Sequence, residues 1–313
     1  MNSRKNVVFI GECMLELQGS AFGAMQQSYG GDTFNTAVYF ARCGGSRFKT
    51  WYATAVGDDA LSLELLRRWA GDGLELGLVR RIDGRMPGLY MIEVDAQGER
   101  RFSFWRDNSA ATAYFDCEVT PLEDRAGEWD VFYFSGISLA ILPPAARVRL
   151  FEFAARLRNR GALVVFDNNY RSGLWPKADE AQANFVRAYR AADLAFITAD
   201  DHQALFGHGT LDEAVSDAKE LPPREIVIKR GVEATLLRAE DGRWQSVPTE
   251  PVAKVVDTTA AGDSFAAGYL SRRLQGASAP EAARFGNRLA ARVIQHSGAV
   301  IPEVAMKDLM PVR

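Results

Sequence analysis

The sequence predicts an α/β protein: a mostly parallel central sheet with helices on both faces, plus a small inserted β element. Three observations predict it. Short runs rich in β-branched and aromatic residues alternate with segments of helical periodicity. Those runs are almost continuously apolar, as strands covered on both faces must be. One stretch, residues 88–106, breaks the alternation with two strand-like halves flanking a turn.

The strand runs come in order as NVVFIG (6–11), TWYATAVG (50–57), DVFYFSG (130–136), ALVVFD (162–167), DLAFIT (193–198) and EIVIKRG (225–231). Between them, DALSLELLRRWAG (59–71) and AARVRLFEFAARLRNRG (145–161) read as helices, the second with Val148, Phe151, Ala155 and Leu157 on its apolar face. Ligands of open parallel sheets bind beyond the carboxyl ends of the strands. Functional residues are therefore expected just after each run, at Gly11-Glu12, Asp167-Asn168 and Thr198-Ala199. The exceptional stretch, GLYMIEVDAQGERRFSFWR, reads as a hairpin turning at Asp95-Ala96-Gln97-Gly98. With the GECMLELQG region it is expected to form a small antiparallel flap. No repeat or linker divides the chain, so we expect one domain over 1–313 with a discontinuous β lid mainly from about 12–30 and 85–108.

Composition narrows the function classes. The chain has 313 residues, 47% hydrophobic and 25% charged, as ordinary globular proteins do. With 37 basic against 40 acidic residues the net charge is −3, so nothing points to nucleic acid or an anionic membrane. Cys13, Cys43 and Cys117 are scattered and odd in number, which suggests neither a disulfide framework nor a zinc site. Glu12 and Glu16 interrupt the first apolar run too early for a signal peptide, and no run approaches the ~20 residues that span a bilayer. A cytoplasmic location is expected.

The stretch richest in chemistry is VVDTTAAGDSFAAGYL, residues 255–270. A strand-like entry gives way to a helix starting near Ala261. A helix start carries unpaired N–H groups and partial positive charge, and Ala260, Ala261 and Gly262 let phosphate oxygens approach the backbone. Asp263 would there accept a proton from an alcohol late in phosphoryl transfer. The competing reading is a small-residue helix packing on a neighbour, with Asp263 as a favourable first-turn acid.

In YGGDTFNTAVYFARCGG (29–45), Asp32 and Asn35 can present an acceptor and an amide to adjacent sugar hydroxyls beside Gly31. Asp32 also suits a helix cap. In VVFDNNYRSGLW (164–175), Asp167, Asn169 and Arg171 follow a buried strand; Arg171 offers a fork for carboxylate or phosphate, or a surface salt bridge. In RFSFWRDN (101–108), Phe104 and Trp105 face opposite sides and Arg106 shares the face of Phe104, where a substrate carboxylate would account for it. No GxxxxGK[ST], strand-linked GxGxxG or HExxH occurs, and His202, His208 and His296 show no ligand spacing. Dehydrogenase and metallohydrolase readings thus have no support.

The run DTTAAGD closely resembles the C-terminal signature of the ribokinase-like (PfkB) carbohydrate kinases, with Ala260 replacing the first glycine of the usual Gly-Ala-Gly. GGDTFN resembles the family's N-terminal signature and FDNNYR its DxNxR element. The resemblance extends from Val7 to about Pro302. It implies a ribokinase-like fold, with Asp263 as catalytic base and the backbone of Ala260, Ala261 and Gly262 as an anion hole. It also implies sugar contacts from Gly31, Asp32, Asn35, Tyr90, Phe104, Arg106 and Arg171, the last two with Tyr90 holding an acid sugar's carboxylate end. ATP would be bound with Mg²⁺ by Asn169, Thr198, Lys229, Gly231, Gly262 and Asn287, with Gly298-Ala299 bordering adenine. Thr198 and Asp201 stand where many members carry NxxE, so Asp201 would hold magnesium through water, unless Thr198 and Asp200 simply cap a helix. The family also leaves room for a monovalent cation and for a homo-oligomer formed through lid residues such as Phe102 or Phe104. The alternatives are a fructokinase or other sugar kinase, or a non-catalytic sugar sensor on the same scaffold.

Overall fold

The computed structural model describes residues 4–20, 22–94, 100–239 and 241–311. Among these, an eight-stranded sheet runs in the spatial order Trp244–Val247, Glu233–Arg238, Glu225–Arg230, Leu194–Thr198, Leu163–Asp167, Val131–Ser135, Lys5–Ile10, Phe48–Ala53. Strands from Glu225–Arg230 to Phe48–Ala53 are all parallel. The two on the other edge are antiparallel.

Side chains alternate between two apolar layers. Val8, Ile10, Phe132 and Phe134 meet the helices Pro144–Asn159 and Ala178–Ala191, whereas Val7, Phe9, Val131 and Tyr133 meet Asp32–Gly44 and Ala261–Leu274. Burial on both faces is why these strands read as continuous apolar runs. The antiparallel edge was not expected from the sequence. Glu233–Arg238 buries just alternate residues and Trp244–Val247 is interrupted by Gln245 and Ser246, so neither shows a continuous run.

Helix Pro144–Asn159 lies where expected but turned on its axis. Its buried face is Leu150, Phe151, Phe153, Ala154 and Leu157, while Val148 is exposed, as is Ala155. The run TWYATAVG divides into Phe48–Ala53 and a separate two-residue strand, Ala55–Val56, paired with Arg80–Arg81.

A second sheet contains Met25–Gly30, Met14–Gly19, Leu89–Val94 and Arg100–Trp105 in that order. Its two outer pairings are antiparallel, but Met14–Gly19 and Leu89–Val94 run parallel, so the flap is mixed. The expected turn at 95–98 lies outside the described residues. Among the described residues no helix is long and apolar enough to cross a membrane.

Candidate active site

A cavity of about 860 Å³ opens at the carboxyl ends of the parallel strands, between the second sheet and the start of helix Ala261–Leu274. Asp263 lies in the first turn of that helix and lines the cavity with Asp32, Asn35 and Asn169. The helix is held at depth by packing on helix Ala279–Val293, where a side chain on Gly268 would come within 3.2 Å of the Gly286 backbone.

Asn35 reaches across from helix Asp32–Gly44 and donates from Nδ2 to Asp263 Oδ2 at 2.8 Å. Its Oδ1 accepts the Gly31 N–H at 3.3 Å, so the amide is oriented and one oxygen of the carboxyl is engaged. Asn169 Nδ2 donates to Asp32 Oδ2 at 3.0 Å, joining residues on two sides of the cavity. Asp32 is the first residue of its helix, with Gly31 at the cap position and no side-chain cap there, so the capping role expected of Asp32 is absent. Gly31 is required by packing, since a Cβ there would meet the Glu12 carbonyl oxygen at 2.0 Å.

Three carboxyl groups converge here, and their electrostatics follow. Burial, together with the Asp32 and Asp167 charges, pushes the Asp263 carboxyl up to about 8, against the Asn35 hydrogen bond and the Lys229 charge. Burial also raises Asp32, countered by hydrogen bonds from Ser135, the Thr33 amide and Asn169. Lys229 Nζ sits 3.2 Å from both oxygens of Asp167, which also accepts from Tyr133 at 3.1 Å.

Beside this ammonium lies the helix start. A Cβ on Gly262 would stand 3.2 Å from Lys229 Nζ. Ala260, at φ 61 and ψ 15, adopts the left-handed conformation that turns the chain into the helix, and no side chain caps the first turn. An alanine held there costs about 1–2 kcal/mol. The Ala261 N–H already donates to the Thr258 carbonyl at 3.2 Å, which leaves the Gly262 and Asp263 amides as the first-turn donors for an anion.

At the other end of the cavity, Thr198, Asp201, Gly231 and Asn287 all contribute to the lining. Asn168 holds Thr198 through both backbone groups, at 2.9 and 3.1 Å, and Thr198 makes no side-chain cap. Arg171 lines the cavity and also bridges to Asp201 at 3.1 Å. Burial raises the Asp201 carboxyl, opposed by Arg171 and Lys229. Gly231 takes a left-handed turn at φ 62. Asn287 accepts from Thr235 Oγ1 at 3.1 Å and donates to the Pro248 carbonyl at 3.0 Å, bracing the loop at this end. The Gly298 N–H donates to Asp257 at 3.1 Å, and Ala299 lines the cavity.

On the second sheet Tyr90, Phe102 and Phe104 face the cavity, with Tyr90 and Phe104 stacked at 6.0 Å between ring centres. Trp105 points away and is exposed, as strand alternation requires. Tyr90 donates its hydroxyl to Glu16, which also accepts from Ser28 at 2.7 Å. Arg106 is not brought into the cavity lining. It lies past the end of its strand, buried, with Nη2 2.5 Å from Glu12 Oε2. Glu12 and Glu16 were missed as partners because 94 and 74 residues separate them from Arg106 and Tyr90. The available signal was a glutamate directly after the first strand.

A smaller cavity of about 430 Å³ lies at the opposite ends of the strands. Four of its charges are paired, Arg158 with Asp193 at 2.9 Å and Arg273 with Glu225 at 2.7 Å, and Arg224 also lines it.

Comparison with known proteins agrees with this geometry. The profile of the pfkB family carbohydrate kinases matches residues 4–306. The 2-dehydro-3-deoxygluconokinase of Dickeya dadantii is 43% identical over 307 residues, spanning 96% of this chain and 98% of that protein. The enzyme of the same name from Escherichia coli strain K12 is 41% identical over 307 residues, 96% and 99% of the two chains. A fructokinase from Xylella fastidiosa, solved with bound ATP, superposes with a TM-score of 0.82 at 22% identity, covering 98% of each chain, and shares the fold.

Proposed function

The chain belongs to the pfkB family of carbohydrate kinases, and from that premise we propose that it transfers the γ-phosphoryl group of ATP to the C6 hydroxyl of 2-dehydro-3-deoxy-D-gluconate. The products are 2-dehydro-3-deoxy-6-phosphogluconate and ADP. The observation that carries this reading is Asp263, held by Asn35 in the first turn of an uncapped helix and lining the large cavity. Relatives bearing that enzyme name at 41–43% identity support the acid sugar over fructose.

In this mechanism Asp32 and Asn35 bind sugar hydroxyls and leave the primary alcohol facing Asp263, with Asn169 bracing Asp32 beside the nucleotide. The Gly262 and Asp263 amides, with Lys229, stabilise the charge that builds on the migrating phosphoryl oxygens. Asp263 takes the alcohol proton as the new P–O bond forms. Lys229 is already within 3.2 Å of Asp167, so arriving phosphate exchanges one anionic partner for another.

Magnesium fits the donor set as a nucleotide-held ion: the Asp201 carboxylate lines the cavity, while Arg171 engages one of its oxygens. It would supply charge neutralisation on the phosphates. The second sheet serves as a lid over the sugar, and its exposed Phe102 and Phe104 offer a surface for pairing with a second copy.

A panel of acid and neutral sugars with ATP, followed by ADP release, tests the assignment. 2-Dehydro-3-deoxygluconate is expected to show the highest kcat/KM; preference for fructose or ribose would overturn the substrate, and no phosphorylation at all would overturn the kinase. Arg171→Ala is expected to raise the KM for the acid sugar about 10- to 150-fold, from loss of a charge-assisted hydrogen bond of roughly 1.5–3 kcal/mol. An equal rise in the KM for neutral sugars would remove Arg171 from carboxylate binding.

The proton acceptor must be ionised, and its carboxyl is pushed up to about 8 in the empty site. kcat/KM is therefore expected to climb across neutral pH, with a limb centred near 8 that disappears in Asp263→Asn. A flat profile between pH 6 and 9 would show that the free carboxyl titrates elsewhere.

A further inference from the structure

Outside the cavity, three potential metal ligands meet at the far end of helix Ala199–Phe206. His202 lies in that helix, His208 follows the left-handed turn at Gly207 (φ 71), and Asp217 projects from helix Leu211–Lys219. One donor atom from each falls within 4.8 Å of the others. His202 Nε2 is 2.8 Å and His208 Nε2 3.6 Å from the same oxygen, Asp217 Oδ2. Donors on a tetrahedral zinc, with bonds of about 2.0–2.1 Å, stand about 3.3 Å apart, between those two values. The spacing absent from the sequence is created by the turn, which folds His208 back so that the two imidazoles stack at 28°.

Two further observations point to a ligand. His208 Nε2 is buried yet has no hydrogen-bond partner, a costly arrangement for a polar atom. The hydroxyl of Tyr189 stands 3.4 Å from His202 Nδ1, placed to accept a hydrogen bond from Nδ1–H and so free Nε2 for coordination. The Asp217 side chain is 48% exposed, which leaves a route in from solvent.

We propose that His202, His208 and Asp217 form a binding site for one divalent transition-metal ion of the zinc class. Two imidazoles and one carboxylate select such ions over magnesium, which prefers oxygen donors. Water completes the coordination on the solvent side. Metal binding would tie helices Ala199–Phe206 and Leu211–Lys219 together, and His202 adjoins Asp201 of the cavity.

Calorimetric titration of the chelator-stripped full chain with Zn²⁺, without nucleotide and in a Cys117→Ser background, tests this. One ion per chain is expected, with millimolar Mg²⁺ failing to displace it. His208→Ala and Asp217→Asn should each weaken Kd at least tenfold and abolish the zinc-induced rise in Tm, while His296→Ala changes neither. X-ray absorption on the wild-type complex needs no variant and should show two imidazole shells. Absent stoichiometric binding, variants that bind like wild type, displacement by Mg²⁺, or sulfur ligation would each overturn the site.

Discussion

Asp263→Asn is expected to lower kcat by roughly 10²–10⁴, the usual share of a general base, while sugar affinity changes little. Asparagine is nearly isosteric and can still meet Asn35, so the cavity should keep its shape. The same substitution is expected to stabilise the protein. An ordinary aspartate, near 3.8, ionises freely in the unfolded chain, whereas the folded chain holds the Asp263 proton to about 8. Between those values the native state binds more protons than the unfolded one, so stability falls as pH rises. Removing the charge lifts that penalty. Because the carboxyl is partly open to the cavity, we expect a gain of about 1–3 kcal/mol at pH 8.5 and little at pH 4.5. Urea unfolding at both values measures it. Full activity in the variant would dismiss Asp263 as base, and a stability gain independent of pH would contradict its neutral resting state.

Arg106→Ala is expected to produce the largest loss of stability, about 3–5 kcal/mol, because it leaves the Glu12 carboxylate buried without its counter-charge. The two side chains are 8% and 1% exposed, so water cannot replace the lost partner. The pair joins the loop after the first strand to the end of strand Arg100–Trp105, and its loss should loosen the second sheet over the cavity. KM values for sugar and ATP should then both change, in contrast to the sugar-selective effect expected of Arg171→Ala. The double variant Glu12→Gln, Arg106→Met should recover most of the stability. A single-variant loss under about 1 kcal/mol would mean that the pair is solvated and dispensable.

Much of the site was legible because its chemistry lies in compact segments. The parallel strands announce themselves by apolar runs, and of the residues expected at their ends Asp167 and Thr198 reach the cavity, whereas Gly11, Glu12, Asn168 and Ala199 do not line it. The small residues before Asp263 mark a backbone that must stay bare. What sequence could not supply was pairing across the chain. Asn35 and Asp263 are 228 positions apart, and Glu12 and Arg106 are 94 apart. Position on a strand likewise suggested a cavity-facing Arg106, but strand Arg100–Trp105 ends one residue earlier, so alternation no longer fixes its direction. The histidines gave no recognisable motif because a turn and a second helix, rather than one helix face, bring His202, His208 and Asp217 together.

The bond from Asn35 to Asp263 has a consequence for the empty enzyme. A carboxyl that keeps its proton near neutrality, with one oxygen already occupied, offers a stray water molecule no ready acceptor. If Asp263 is the base, nucleotide waiting alone in the cleft would thereby be spared futile hydrolysis, with the restraint in place before any sugar arrives.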